Sequence, residues 1–233
     1  MFLLGQPDRS EIQENIEAEN ADHHDLVQGS FKDTYDHLSY KNIMGKLWVS
    51  IFCEQAEFIV KTDDDMFVDL YEVFALTRSY KNNAQYQDHS FLLCPVLRTL
   101  PILRDPLSKW FVSYDDIPKQ ENAAGDQFYP KSCTGWIYIT TPGTARRLAK
   151  AAINTWLFWI DDVWVTGFLA EKLRIEHQDM HQFWSMKAEE LLLHKTMQSP
   201  HMHHIDYISG PMHRNYELSK ALHNKAEWCF VNK

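Results

Sequence analysis

Phe58-Ile59-Val60-Lys61-Thr62-Asp63-Asp64-Asp65-Met66-Phe67-Val68 decides how this chain is read. Phe58-Ile59-Val60 is a short apolar, β-branched run of the kind that forms a buried strand, and it leads directly into three carboxylates. Adjacent acids repel one another, and at the end of a buried strand they are costly unless something positive sits among them. Strand alternation points Asp63 and Asp65 to the same side. In open α/β sheets ligands bind just beyond the carboxyl ends of strands. Hard oxygen donors suit Mg²⁺ or Mn²⁺, ions that bind through one or two carboxylates plus substrate phosphates. The stretch therefore predicts a metal–diphosphate site, with a solvated acidic turn as the alternative.

Working outward, strands and helices alternate. Phe2–Leu4 followed by Gly5 reads as a strand end, and residues 10–20 as an exposed helix. Tyr35, Leu38, Ile43, Leu47 and Ile51 recur at helical spacing, which predicts an amphipathic helix over 34–53 with these residues inward. Residues 69–80 read as a helix and 90–96 as a strand. Residues 115–131, with Pro118, Gly125 and Pro130, form a long loop, and 135–140 read as a strand. Pro142 suits the first turn of a helix through 154, and 163–173 has helical spacing. In the Met- and His-rich tail, 189–195 and 216–226 read as helices. The alternation argues an α/β fold with a mostly parallel sheet. No linker interrupts it, so residues 1–233 are expected to form a single domain.

Composition narrows the function. The net charge of −9, with no Lys/Arg cluster against it, argues against a nucleic-acid partner. No apolar run is long enough to span a bilayer, and Met1–Leu4 is too short for a signal peptide. Cys53, Cys94, Cys133 and Cys229 lack the spacing of a zinc knuckle. They allow two disulfides in any of three connectivities, or buried thiols.

Four further stretches carry candidate chemistry. In Trp159-Ile160-Asp161-Asp162-Val163-Trp164-Val165-Thr166-Gly167, two acids stand between an aromatic run and a helix start. An Asp there can cap the helix, worth about 0.5–2 kcal/mol, or act as a general base whose apolar walls raise its pKa. One can do each. Lys109-Trp110-Phe111-Val112-Ser113, with Arg98 and Arg104 upstream, sets a cation beside an aromatic, suited to a phosphate and a ring, or to core packing. In Tyr129-Pro130-Lys131-Ser132-Cys133-Thr134-Gly135-Trp136-Ile137-Tyr138, Gly135 permits close backbone approach to a ligand. Among His201, His203, His204, His213 and His223, at most one would ligate a metal.

In this order the four motifs, F-I-V-K-T-D-D-D-M-F-V, K-W-F-V-S, Y-P-x-x-C-T-G-W-x-Y and I-D-D-V-W-V-T-G, resemble the β-1,3-galactosyltransferase family, which includes the β-1,3-N-acetylglucosaminyltransferases. Gly29–Tyr35 through Lys41 resembles that family's segment upstream of the acids, and the resemblance runs from about Phe2 to Leu173. It implies a GT-A-type nucleotide-sugar transferase fold with a Rossmann-like sheet, Mn²⁺ (or Mg²⁺), a UDP-sugar donor and inversion at the anomeric carbon. The donor would be UDP-galactose or UDP-N-acetylglucosamine, with the Cys133-Thr134-Gly135 loop closer to the galactosyltransferases. The acceptor would be a glycan on lipid or protein. By position, Asp63 and Asp65 match the metal-binding pair, Asp162 the base, and His213 the late metal ligand. Lys61, Asp64, Lys109, Trp110, Gly135 and Trp136 line the donor side.

The resemblance also implies a Golgi membrane protein with its catalytic part in the lumen. The family's anchor and stem, and the first strand and Arg-containing motif expected ahead of Phe2, are not found in this sequence, which therefore reads as N-terminally truncated. No N-x-S/T sequon is present, and Asp36-His37-Leu38-Ser39 stands where the family has one. Two other readings follow: a non-catalytic relative that partners an active transferase, and a metal-dependent phosphohydrolase using the same acids.

Overall fold

The computed structural model describes residues 1–81, 90–117, 127–184, 208–212 and 215–231. Strand β1 (Phe2–Gln6), helix α1 (Ser10–His23) and strand β2 (Leu26–Lys32) form a β–α–β unit in which the two strands run parallel. Helix α1 buries no residue, as its polar sequence requires. A single 3₁₀ turn, Tyr35–His37, leads into α2 (Leu38–Phe52).

The central sheet contains β3 (Ile59–Thr62), β5 (Phe91–Cys94), β8 (Ile137–Thr140) and β9 (Glu176–Asp179), in the order β3-β8-β5-β9. Strand β8 is antiparallel to both β3 and β5, and only β5–β9 is parallel. The short pairs β4 (Met66–Val68) with β10 (Ser209–Pro211), and β6 (Val96–Leu97) with β7 (Ser132–Cys133), are also antiparallel. The expectation of a mostly parallel sheet is corrected to a mixed one.

The reason is burial on both faces. Every residue of Phe91–Cys94 and Ile137–Thr140 is buried, so neither strand shows the alternation of a half-exposed antiparallel strand. Leu92, Cys94 and Tyr138 enter one core with Leu148, Val163, Trp164 and Phe168. Phe91, Leu93, Ile137 and Ile139 enter a second with Val73, Met180 and Trp184.

The first core lies under α2, α4 (Pro142–Ile153) and the helical segment that opens with π-type turns over Val163–Leu169 and ends as α5 (Ala170–Lys172). Helix α3 (Leu70–Lys81) helps cover the second. Helix α6 (Tyr216–Val231) closes a third cluster of Phe67, Met212, Leu218, Leu222 and Ala226. As expected, α4 begins at Pro142, and the Thr141 hydroxyl caps it by accepting the Thr144 N–H at 3.2 Å. The expected helix over 189–195 and most of the loop over 115–131 lie outside the described residues.

Helix α2 departs from the sequence reading in a way that matters later. Its buried face is Ser39, Asn42, Lys46 and Ser50. Of the residues expected inside, Ile43 packs on the first core, whereas Leu47 is 40% and Ile51 63% exposed.

Of the possible cysteine pairings, the fold forms Cys94–Cys133, 39 residues apart, and Cys53 remains a thiol. The bridge ties β5 to the strand that leads to Gly135. Reducing it, or making Cys133→Ser, is expected to cost about 2–4 kcal/mol. Thermal melts with and without reductant measure this, and equal midpoints would refute it.

Candidate active site

Strand β3 ends at Thr62, and Asp63–Asp65 form a turn into β4, which belongs to a different sheet. Turn geometry, rather than strand alternation, brings the carboxylates together. The turn is held to the start of β8, where Trp136 O accepts the Asp63 N–H at 3.3 Å and the Thr62 hydroxyl at 3.0 Å. Lys61 Nζ lies 2.6 Å from Asp63 Oδ1 and also donates to Gly135 O. Partial burial, the largest influence, pushes the Asp63 carboxyl above its usual range, Lys61 opposes this, and the charges of Asp161 and Asp65 add to it. Asp64 and Asp65 are exposed. The Asp65 carbonyl accepts the Met212 N–H at 2.8 Å, so the tail returns to the acidic turn. His213, the expected late ligand, lies outside the described residues, whereas His223 stands edge-on to Phe67 at 5.1 Å.

Asp161 and Asp162 come close to the same lysine, Lys61, and Asp162 also to Gly135 just ahead of β8. Asp162 Oδ1 caps the following helix, accepting the Val163 N–H at 2.9 Å. Its Oδ2 faces Gly135, where a Cβ would come within 3.2 Å. Burial, and then the neighbouring Asp161 charge, push Asp162 up to about 6, against the pull of the Val163 N–H and Lys61. Capping and a raised pKa thus meet on one residue, where the sequence reading divided them between two. The helix that Asp162 opens begins with π-type turns, a distortion often found at functional sites.

Lys61 joins the two acid groups. Burial disfavours its charge, but Asp161, Asp63 and Asp162 outweigh burial and hold its pKa above the ordinary lysine value. The Lys61 ammonium, expected on the donor side, is bonded within the protein to Asp63 and the Gly135 carbonyl. Asp161 accepts from Asn42 Nδ2 at 2.7 Å. Asn42 was not singled out from the sequence, and the only available signal was the polar Ser39, Asn42, Lys46, Ser50 series at helical spacing.

The other expected residues divide. Gly135 accepts from Lys61 through its carbonyl and faces Asp162 where it lacks a side chain. The Trp136 indole turns away to pack on the second core and on Trp184, with ring centroids 5.4 Å apart. Lys109 Nζ lies 4.2 Å over the Tyr35 ring, and Trp110 Nε1 donates to the Tyr35 hydroxyl at 3.1 Å. Tyr35 in turn leans on Trp159, with centroids 6.1 Å apart. Trp110 and Tyr35 are 48% and 45% exposed, so the K-W pair forms a solvent-facing shelf rather than core.

Among the described residues, no three His, Cys, Asp or Glu side chains gather to hold a metal by themselves. Asp63 and Asp65 still fit an ion that takes most of its ligands from phosphate and water. Burial, and then the charges of Asp161 and Asp65, raise the Asp63 carboxyl, and a hard cation would relieve the repulsive part of this.

A family model described as Galactosyltransferase matches residues 1–181. The chain is 33% identical over 180 residues to beta-1,3-galactosyltransferase 5 of Pan troglodytes, covering 77% of this chain and 56% of that protein. The match to the same enzyme of Homo sapiens is 33% over 180 residues, covering 77% and 54%. For beta-1,3-galactosyltransferase 1 of Mus musculus it is 33% over 177 residues, covering 75% and 50%. The chain spans about half the length of the curated relatives it matches.

Proposed function

This chain belongs to the galactosyltransferase family, and on that premise we propose that it transfers galactose from a UDP-sugar to the 3-hydroxyl of an acceptor glycan, with inversion, in a GT-A-type arrangement. The relatives' printed names favour galactose over N-acetylglucosamine. One observation carries the reading: Asp162 is a half-buried carboxyl set against a glycine, pushed up to about 6 by burial and the Asp161 charge against the pull of Lys61. A base of that strength is ionised at neutral pH yet still accepts a proton readily.

The acceptor hydroxyl would lose its proton to Asp162 as its oxygen bonds to the anomeric carbon and the bond from that carbon to the UDP oxygen breaks. Gly135 leaves room for the approach beside Oδ2. Asp65 and Asp63 would hold Mn²⁺ (or Mg²⁺), which when bound supplies Lewis-acid neutralisation of the diphosphate. The Lys109–Trp110 shelf would bear on the sugar or base. The Cys94–Cys133 bridge supports an oxidising compartment such as the Golgi lumen. Among the described residues no helix is long and apolar enough to cross a membrane.

Calorimetric titration with UDP tests the donor site. Binding is expected to require Mn²⁺ and to weaken at least about tenfold in Asp65→Ala. No binding by a folded sample would instead favour a non-catalytic relative.

A further inference from the structure

Helix α2 buries a lysine where an apolar residue would be cheaper. Lys46 is 5% exposed, and its Nζ donates to both Asn42 Oδ1 and the Tyr138 hydroxyl. The Tyr138 hydroxyl in turn donates to Asn42 Oδ1 at 3.0 Å. Two donors therefore converge on one face of the Asn42 amide. The other face, Nδ2, donates to Asp161 Oδ2 at 2.7 Å. An amide flipped by half a turn would present its NH₂ to two donors and its oxygen to a carboxylate, so the observed orientation is the only one with every group satisfied.

We propose that Lys46 and Asn42 are positioning residues that lock Asp161 beside Asp162 and so set the proton affinity of the base. The inference rests on the base role argued above. Lys46, with the Tyr138 hydroxyl beside it, supplies the lock, Asn42 transmits it, and the fixed Asp161 charge acts on Asp162 across one peptide unit. The charged and titratable groups bearing on Lys46 come from three directions. They are Tyr138 of β8, Lys61 of β3 and Asp161 at the start of the π-helical segment. Burial, and then Lys61, lower Lys46 to about 7, while Asp161 raises it. Charged or neutral, its amine can still make both donations.

Lys46→Met keeps the length and removes the donor. Replacing a buried polar contact with an apolar side chain of similar shape is compatible with folding. Without Lys46 only the Tyr138 hydroxyl holds the Asn42 oxygen, so Asn42 is held less firmly and Asp161 is freer to move away from Asp162. With uniformly carboxyl-¹³C-labelled aspartate, the Asp162 titration midpoint is expected to fall in Lys46→Met by about one pH unit. Asn42→Ala, which removes the bond to Asp161 itself, should shift it at least as far, and the double variant no further than Asn42→Ala. Lys46→Gln, which retains a donor, should keep the Asp162 midpoint close to the wild-type value. In the transfer reaction the acidic limb of kcat/KM should move with the carboxyl midpoint, and kcat should fall about 10- to 100-fold with the donor KM little changed.

An unchanged Asp162 midpoint in folded Lys46→Met overturns the proposal, as does additivity of the two substitutions. The titration is read without substrate. A wild-type protein with no transferase activity would therefore sink the functional reading and still leave the lock decided by the carboxyl shifts.

Discussion

Asp162→Asn is expected to lower transfer about 10²- to 10⁴-fold, the usual contribution of a general base, while making the folded protein more stable above pH 6. Both effects come from the same burial. The folded carboxyl has a pKa of about 6 against an ordinary value of 3.8, so folding favours its protonated form. The stability this provides is fully present below about pH 4 and is lost as pH rises through 6. The wild-type protein therefore carries a penalty at neutral pH that asparagine, always neutral, does not. Asparagine can still cap Val163, so the helix start is retained. The melting temperature of Asp162→Asn should exceed that of wild type by a few degrees at pH 8 and converge with it near pH 4. Wild-type kcat/KM should rise through about pH 6, whereas the residual activity of the variant should lack that limb. A variant that loses activity but gains no stability at pH 8 would show that Asp162 is not held as described.

Lys61→Met should damage the fold more than any other single change at the site. Lys61 is the cation shared by Asp63, Asp161 and Asp162, and its side chain is only 22% exposed. Removing one partner of such a group leaves uncompensated charge and costs about 3–5 kcal/mol, a large share of a typical total of about 5–15 kcal/mol. The sign of the pH dependence follows. Without Lys61, which holds them down, the Asp63 and Asp162 carboxyl pKa values rise, so the lost stability is greatest at high pH and is recovered as these groups protonate. Melts between pH 8 and pH 4.5 should show a deficit that shrinks with acid. A deficit independent of pH would mean that Lys61 acts through packing alone. Arginine should not substitute well, because its planar fork does not fit a site shaped for a compact ammonium that also reaches the Gly135 carbonyl.

These variants separate what was visible in the sequence from what was not. Asp63, Asp65, Gly135 and Asp162 could be chosen from residue type and motif order, because residue type and order along the chain are what a motif records. Strand β3, the exposed helix α1 and the start of α4 at Pro142 were equally local. Helix α1 and the start of α4 depend on contacts within a few residues, and the position of β3 on its own apolar, β-branched run, all of which linear order encodes directly.

Three features were decided only by tertiary structure. The direction of β8 is invisible in a strand buried on both faces, since a run of apolar residues carries no alternation. The choice of Cys94–Cys133 among the possible pairings depends on strands brought together across 39 residues of intervening chain. The orientation of α2 turns on polar groups, Asn42 and Lys46, whose partners Asp161 and Tyr138 lie 119 and 92 residues away. Sequence periodicity assigns the greasy side of a helix to the interior by default. Here buried hydrogen bonds to distant residues outweighed that preference, and they brought Asn42 and Lys46, two residues the motifs did not include, to the edge of the candidate active site.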